Sequence, residues 1–169
     1  MRPGGGHAKG AQFERQICRE LSLWLSAGKH DDLFWRSSMS GGRATVQFKK
    51  GRASRAQAGD LSPISSQGEM LTDLFLFECK HYRDLQMIGL YLNLKTGICA
   101  HWQKAREQAA QHNRWPVLIA KQNRTPTFML LTKPGVDFFA LSGGIHAFYP
   151  RIAAHVLWFS DFLAGAKRP

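Results

Sequence analysis

Two carboxylates and a lysine are the residues in this chain best placed to do chemistry. Asp60 follows Gly59, and further on the apolar run Leu74-Phe75-Leu76-Phe77 closes on Glu78-Cys79-Lys80. Side chains along a strand alternate faces, so Glu78 and Lys80 project together while Phe75, Phe77 and Cys79 point the other way. Isolated charges are costly to bury. An acid and a base at the end of such a strand therefore pair, bind a metal ion or face a cleft. Ser65-Ser66-Gln67-Gly68-Glu69 is rich in turn formers and lies midway between Asp60 and Glu78. A hairpin reversing there would set the two carboxylates opposite one another, facing one cation. Asp73 is the rival acid. Five residues before Glu78 on the same strand, it would fall on the opposite face, and Asp60 is favoured.

Several elements must position these groups. Phe13, Ile17, Leu21, Trp24 and Leu25 recur at helical spacing over residues 11–26, and Gly28 supplies a stop. Glu14 borders that apolar stripe, where it can look into a cleft between helix and sheet. Phe34-Trp35-Arg36 predicts a short strand leading into Ser37-Ser38-Met39-Ser40-Gly41-Gly42. Residues 43–58 carry Arg43, Lys49, Lys50, Arg52 and Arg55 without one acid and read as a mobile basic loop. Such a run is either a solvated surface or a grip on nucleic-acid backbone. Residues 81–99 show no assignable pattern. Trp102–Gln111 reads as a helix with Trp102, Ala105 and Ala109 inward, and residues 117–120 and 128–131 read as strands separated by Asn123-Arg124-Thr125-Pro126. Ile152, Val156, Phe159 and Leu163 repeat at helical spacing, with His155, Trp158 and Phe162 widening the stripe. They predict a last helix that is core or covers a dimer partner.

The chain's 169 residues suit one domain that buries roughly 70% of its unfolded surface. Within it, residues 1–10 are expected to be a flexible N-terminus and 133–169 a C-terminal extension. Lys and Arg number 23 against 12 Asp and Glu, a net charge of +11 that suits a polyanion: nucleic acid first, an anionic membrane surface second. No run approaches the roughly 20 apolar residues of a membrane span, and the glycine-rich start is unlike a signal peptide, so a cytoplasmic protein is expected, nucleoid-associated or on viral DNA in a host cell. Cys18, Cys79 and Cys99 have no CxxC spacing and are expected to be reduced, buried thiols. The 7 histidines form no HExxH or close cluster and read as structural or solvated.

Lys9-Gly10 with Phe13-Glu14-Arg15, Trp35-Arg36-Ser37 leading to Ser40-Gly41-Gly42, Gly59-Asp60, Glu78-Cys79-Lys80, and Gln103 followed by Pro116 stand in a recognisable order. In these pieces the chain resembles the PD-(D/E)xK nuclease superfamily, and within it the archaeal-type Holliday junction resolvases, over residues 9–131. A lone ExK triplet would mean little, whereas this many elements in order are hard to produce by chance. Gly59 stands where the family usually has proline, and the intervals 43–58 and 61–73 are longer than in compact resolvases.

The resemblance implies an α/β, restriction-endonuclease-like mixed sheet flanked by helices (αβββαβ core) with a C-terminal helical extension. It implies that Asp60, Glu78 and the backbone carbonyl of Cys79 hold Mg²⁺, with Mn²⁺ able to substitute. It also implies that Lys80 orients or helps deprotonate the attacking water, that Glu14 reaches a water on the ion or a second ion, and that Gln103 positions Lys80 or the phosphate. Arg36 and Ser40 would contact the scissile or adjacent strand, beside the basic loop. The implied activity is Mg²⁺-dependent cutting of branched DNA by a homodimer, with no nucleotide cofactor. A restriction-like or repair nuclease acting on duplexes or ends is the alternative. A non-catalytic DNA-binding protein is a further one, whose affinity would fall with salt and not depend on Mg²⁺.

Overall fold

A computed structural model describes residues 5–37, 58–92 and 95–169, the first three of them as backbone only. Helix α1 (Gly5–Leu25) begins earlier than expected, so residues 5–10 are helical and not a flexible lead. Its stripe of Phe13, Ile17, Cys18, Leu21, Trp24 and Leu25 is buried, as the spacing predicts. The helix stops in a Schellman-type turn: the Gly28 N–H donates to Leu23 O at 2.7 Å and the Ala27 N–H to Trp24 O at 3.2 Å, both residues at positive φ. Ser22, fully buried on the same helix, accepts the N–H groups of Leu33 and Phe34 at 3.0 and 3.2 Å. That bond fixes strand β1 (Phe34–Arg36) against α1.

Strand β2 (Leu61–Pro63) pairs antiparallel with β1 in a small two-stranded sheet. The expected hairpin turn at 65–69 does not form. Ser65 instead caps helix α2 (Ser66–Leu74), its hydroxyl accepting the Gly68 N–H at 3.2 Å. Serine and glycine suit a helix N-terminus as well as a turn. Asp73 therefore lies on a helix, exposed and 3.8 Å from the Arg114 guanidinium, and not on the strand of Glu78.

Strand β3 (Phe75–Tyr82) opens the large sheet, followed by the short helix α3 (Gly89–Leu92), helix α4 (Gly97–Gln111), and strands β4 (Trp115–Gln122) and β5 (Thr127–Leu131). Helix α5 (Lys133–Phe138), strand β6 (Ala147–Tyr149), a 3₁₀ turn (Pro150–Ile152), strand β7 (Ala154–Trp158) and helix α6 (Phe159–Gly165) complete the chain. The strand order is β3-β4-β5-β7-β6, with β3 and β4 parallel and the other pairs antiparallel. The fold is thus the expected mixed sheet flanked by helices. The C-terminal extension, however, is not all helical. Residues 154–158 form an inner strand between β5 and β6, with Ala154–Leu157 buried, and only residues 159–165 form the last helix. An inner strand buried on both faces loses its alternation, and its apolar run is then indistinguishable from a helix stripe.

The sheet separates two apolar layers. One face packs Phe77, Cys79, Ile119, Met129 and Leu157 against α1, α5 and α6. The other packs Leu118, Ala120, Leu130 and Val156 against Trp102 and Ala105 of α4. Cys18, Cys79 and Cys99 are free and buried, as the absence of paired spacing implies. Among the described residues no helix is long and apolar enough to cross a membrane.

Candidate active site

Strand β3 lies at one edge of the large sheet and runs out of the core, with Phe75–Cys79 buried, Lys80 and His81 half-buried and Tyr82 exposed. The segment entering β2 closes against this edge. The Asp60 N–H donates to Phe77 O at 2.8 Å, and Asp60 O accepts the Ser37 N–H at 2.9 Å. Gly59 permits this approach: at φ +86° a Cβ there would lie 2.7 Å from Phe77 O. The residue that departs from the resolvase pattern is thus the one this close contact requires. Asp60 comes to β3 through a loop and a small sheet, not through a hairpin.

Asp60 is 3% exposed and Glu78 7% exposed. The Asp60 Oδ2 accepts the Cys79 main-chain N–H at 2.7 Å and lies 3.7 Å from Lys80 Nζ. Lys80 Nζ also pairs with Glu78 Oε1 and donates to the Cys79 carbonyl at 3.2 Å. One ammonium therefore meets an oxygen from each of Asp60, Glu78 and Cys79. Burial first, and then the charge of Glu78, push Asp60 up from 3.8 to about 7 against the opposing pull of Lys80. Burial works against the Lys80 charge, but the two carboxylates outweigh it and raise that group above its ordinary value. The two carboxylates thus favour the ammonium form of Lys80.

Glu14, on α1, faces the same cleft edge: its charge contributes to the upward shift of Asp60, and its carboxylate pairs with Arg36. The Arg36 guanidinium is thus engaged with an acid of the site. Gln103 is not brought in. It is exposed on α4, where its amide donates to Glu107 Oε1 at 2.8 Å. The residue of α4 that faces the site is His101, one of the histidines that the sequence alone reads as structural or solvated. Its ring stacks on Tyr82 with centroids 4.9 Å apart, and burial, followed by the charge of Lys80, pulls its pKa down. Positions two apart on a helix differ by roughly 200°, so one orientation of α4 cannot present both. Ser40, Arg43, Lys49, Lys50, Arg52 and Arg55 lie outside the described residues.

The donor set can be tested against a divalent cation. Among the described residues no group of three or more His, Cys, Asp or Glu side chains gathers as a metal cage. Two carboxylates and a carbonyl do converge, however, and they already enclose one positive charge, the Lys80 ammonium. Hard oxygen donors with buried, mutually repelling charge fit an ion of the Mg²⁺ type, which takes few protein ligands. A family model described as "Phage putative PDDEXK endonuclease" matches residues 5–139. No curated protein and no solved structure matches the chain.

Proposed function

The chain belongs to the phage PDDEXK endonuclease family, and from that premise we propose that it is a Mg²⁺-dependent endonuclease of branched DNA, a Holliday junction resolvase acting as a homodimer. One observation carries the catalytic part of this reading. Asp60, Glu78, the Cys79 carbonyl and the Lys80 ammonium meet at one point on the edge strand β3. Asp60, Glu78 and the Cys79 carbonyl would hold the ion, and Mn²⁺ would serve in its place. When bound, it supplies Lewis acidity toward a phosphate oxygen.

The chain's own groups have separable roles. Lys80, kept protonated by its two acidic neighbours, offsets charge on the pentacoordinate phosphate. It would also orient or help deprotonate the attacking water. Glu14, paired with Arg36, would reach a water on the ion or a second ion. Arg36, paired with Glu14, would contact the scissile or adjacent strand. The basic stretch 43–58 would hold phosphates, each contact adding to the salt dependence of binding.

The junction preference rests on the residue-by-residue likeness to resolvases, and the dimer on the need for two related cuts. The test is cleavage of a labelled immobile four-way junction beside a duplex of the same sequence, a flap and a single strand. Paired nicks in opposite strands of the junction, absent from the duplex, support a resolvase. Equal cutting of the duplex keeps the endonuclease and removes the junction specificity.

A further inference from the structure

The alternation that puts Glu78 and Lys80 on one face of β3 puts Tyr82 there too, two residues beyond Lys80. At roughly 3.3–3.4 Å per residue, Tyr82 stands about 7 Å further along the strand. It is 45% exposed, although an aromatic ring of its size ordinarily seeks cover. One ring face is occupied: His101 of α4 stacks on it with an interplanar angle of 19°. His101 is half-buried, and burial followed by Lys80 lowers its pKa, which favours the neutral ring. Lys80, Glu78 and Lys104 all lie within electrostatic reach of His101, two cations and one acid. A flat, half-exposed aromatic surface two residues along β3 from Lys80, with Lys104 nearby, has the composition of a site that stacks a base.

We infer that the Tyr82–His101 stack is a binding subsite for an unpaired nucleobase beside the scissile phosphate. The inference rests on the nuclease reading and deepens it. A base within an intact duplex has both faces covered by its neighbours and cannot lie on Tyr82. A base at a branch point, a flap or a single strand can. The stack thereby gives this chain a physical reason to prefer DNA with disrupted stacking, independent of residues 43–58. His101 acts through Tyr82 as a positioning residue, holding the ring flat.

The test uses the full chain and a flap or junction substrate in which the nucleotide next to the mapped cut carries either its base or an abasic analogue. For the wild type, loss of the base is expected to raise KM by about tenfold or more, the scale of one base–aromatic stack. Tyr82→Ala should cut with the raised KM and be indifferent to the missing base, whereas Tyr82→Phe should behave like the wild type. His101→Phe, which keeps a ring beneath Tyr82, should retain the base dependence that His101→Ala weakens. If the abasic penalty is the same in wild type and Tyr82→Ala while both still cut, the stack merely braces α4 on β3; the inference falls and the nuclease reading stands. No cutting of any DNA by the wild type would overturn the nuclease reading and this subsite with it.

Discussion

Asp60→Asn offers the sharpest physical test of the site, because the sign and size of its effect follow from the environment of one carboxyl. Asp60 is 3% exposed and lies beside Glu78, and burial with that second charge lifts its pKa from 3.8 to about 7. A raised carboxylate pKa means that the folded state binds the proton more tightly than the unfolded chain does. Folding therefore gains fully from the protonated group below pH 4, and this stabilisation is lost as pH rises through about 7. The lift from 3.8 to about 7, at roughly 1.4 kcal/mol per tenfold change in proton affinity, sets a ceiling of about 4 kcal/mol on the ion-free loss. Asparagine resembles the protonated acid, and its amide oxygen can still accept the Cys79 N–H now bonded at 2.7 Å. In chelator, Asp60→Asn should match the wild type near pH 4 and exceed it near pH 8 by up to about 4 kcal/mol, on the order of 10 °C in Tm. Mg²⁺ at pH 8 should close the gap by stabilising the wild type alone. Thermal or urea unfolding between pH 4 and pH 8 measures this directly. Parallel curves for the two proteins across that range would refute the buried, like-charged environment on which the site rests.

Other consequences are simpler to read. Gly59→Ala should destabilise the fold by roughly 1–3 kcal/mol, since the residue sits at φ +86° and its Cβ would meet Phe77 O at 2.7 Å; it should also lower cutting by displacing Asp60, seen in denaturation and cleavage together. Ser65→Ala should cost about 1 kcal/mol by removing the cap of α2, measured by urea unfolding, whereas a hairpin turn at that position would tolerate alanine. Leu118→Ala, at a fully buried position between β4 and α4, should cost roughly 2–5 kcal/mol by the same measurement. Arg36→Ala should leave Glu14 without its guanidinium and reduce kcat more than binding, a split that steady-state kinetics resolves.

The core of the site was legible because it depends on period-two alternation within one uninterrupted apolar run. Glu78, Lys80 and the buried Phe75, Phe77 and Cys79 fall where that rule puts them. Asp60 does lie beside β3, but the hairpin that the turn formers at 65–69 suggest is not what brings it there. The segment between is a capped helix, and Gly68, Leu71 and Thr72 are its buried residues, spaced three and four apart. That spacing was present in the sequence and was overshadowed by the serine-rich start. The C-terminal strand β7 was hidden for a different reason: an inner strand between two neighbours carries no alternating pattern to find. His101 left no signal at all. Its meeting with Tyr82 depends on how α4 lies across the sheet, a tertiary fact that no local spacing encodes. The replacement of Gln103 by His101 at the site is the same effect seen from the helix, where a shift of two positions turns a side chain away.

Cleavage of a DNA substrate by the wild type and by Asp60→Ala, Glu78→Ala and Lys80→Ala, in Mg²⁺ and in excess chelator, tests the central claim most directly. The predicted result is cutting by the wild type in Mg²⁺ alone, and none by the three variants, which still bind the DNA with the salt dependence of the wild type. Equal cutting by the wild type and all three variants would contradict the assignment of the site on β3.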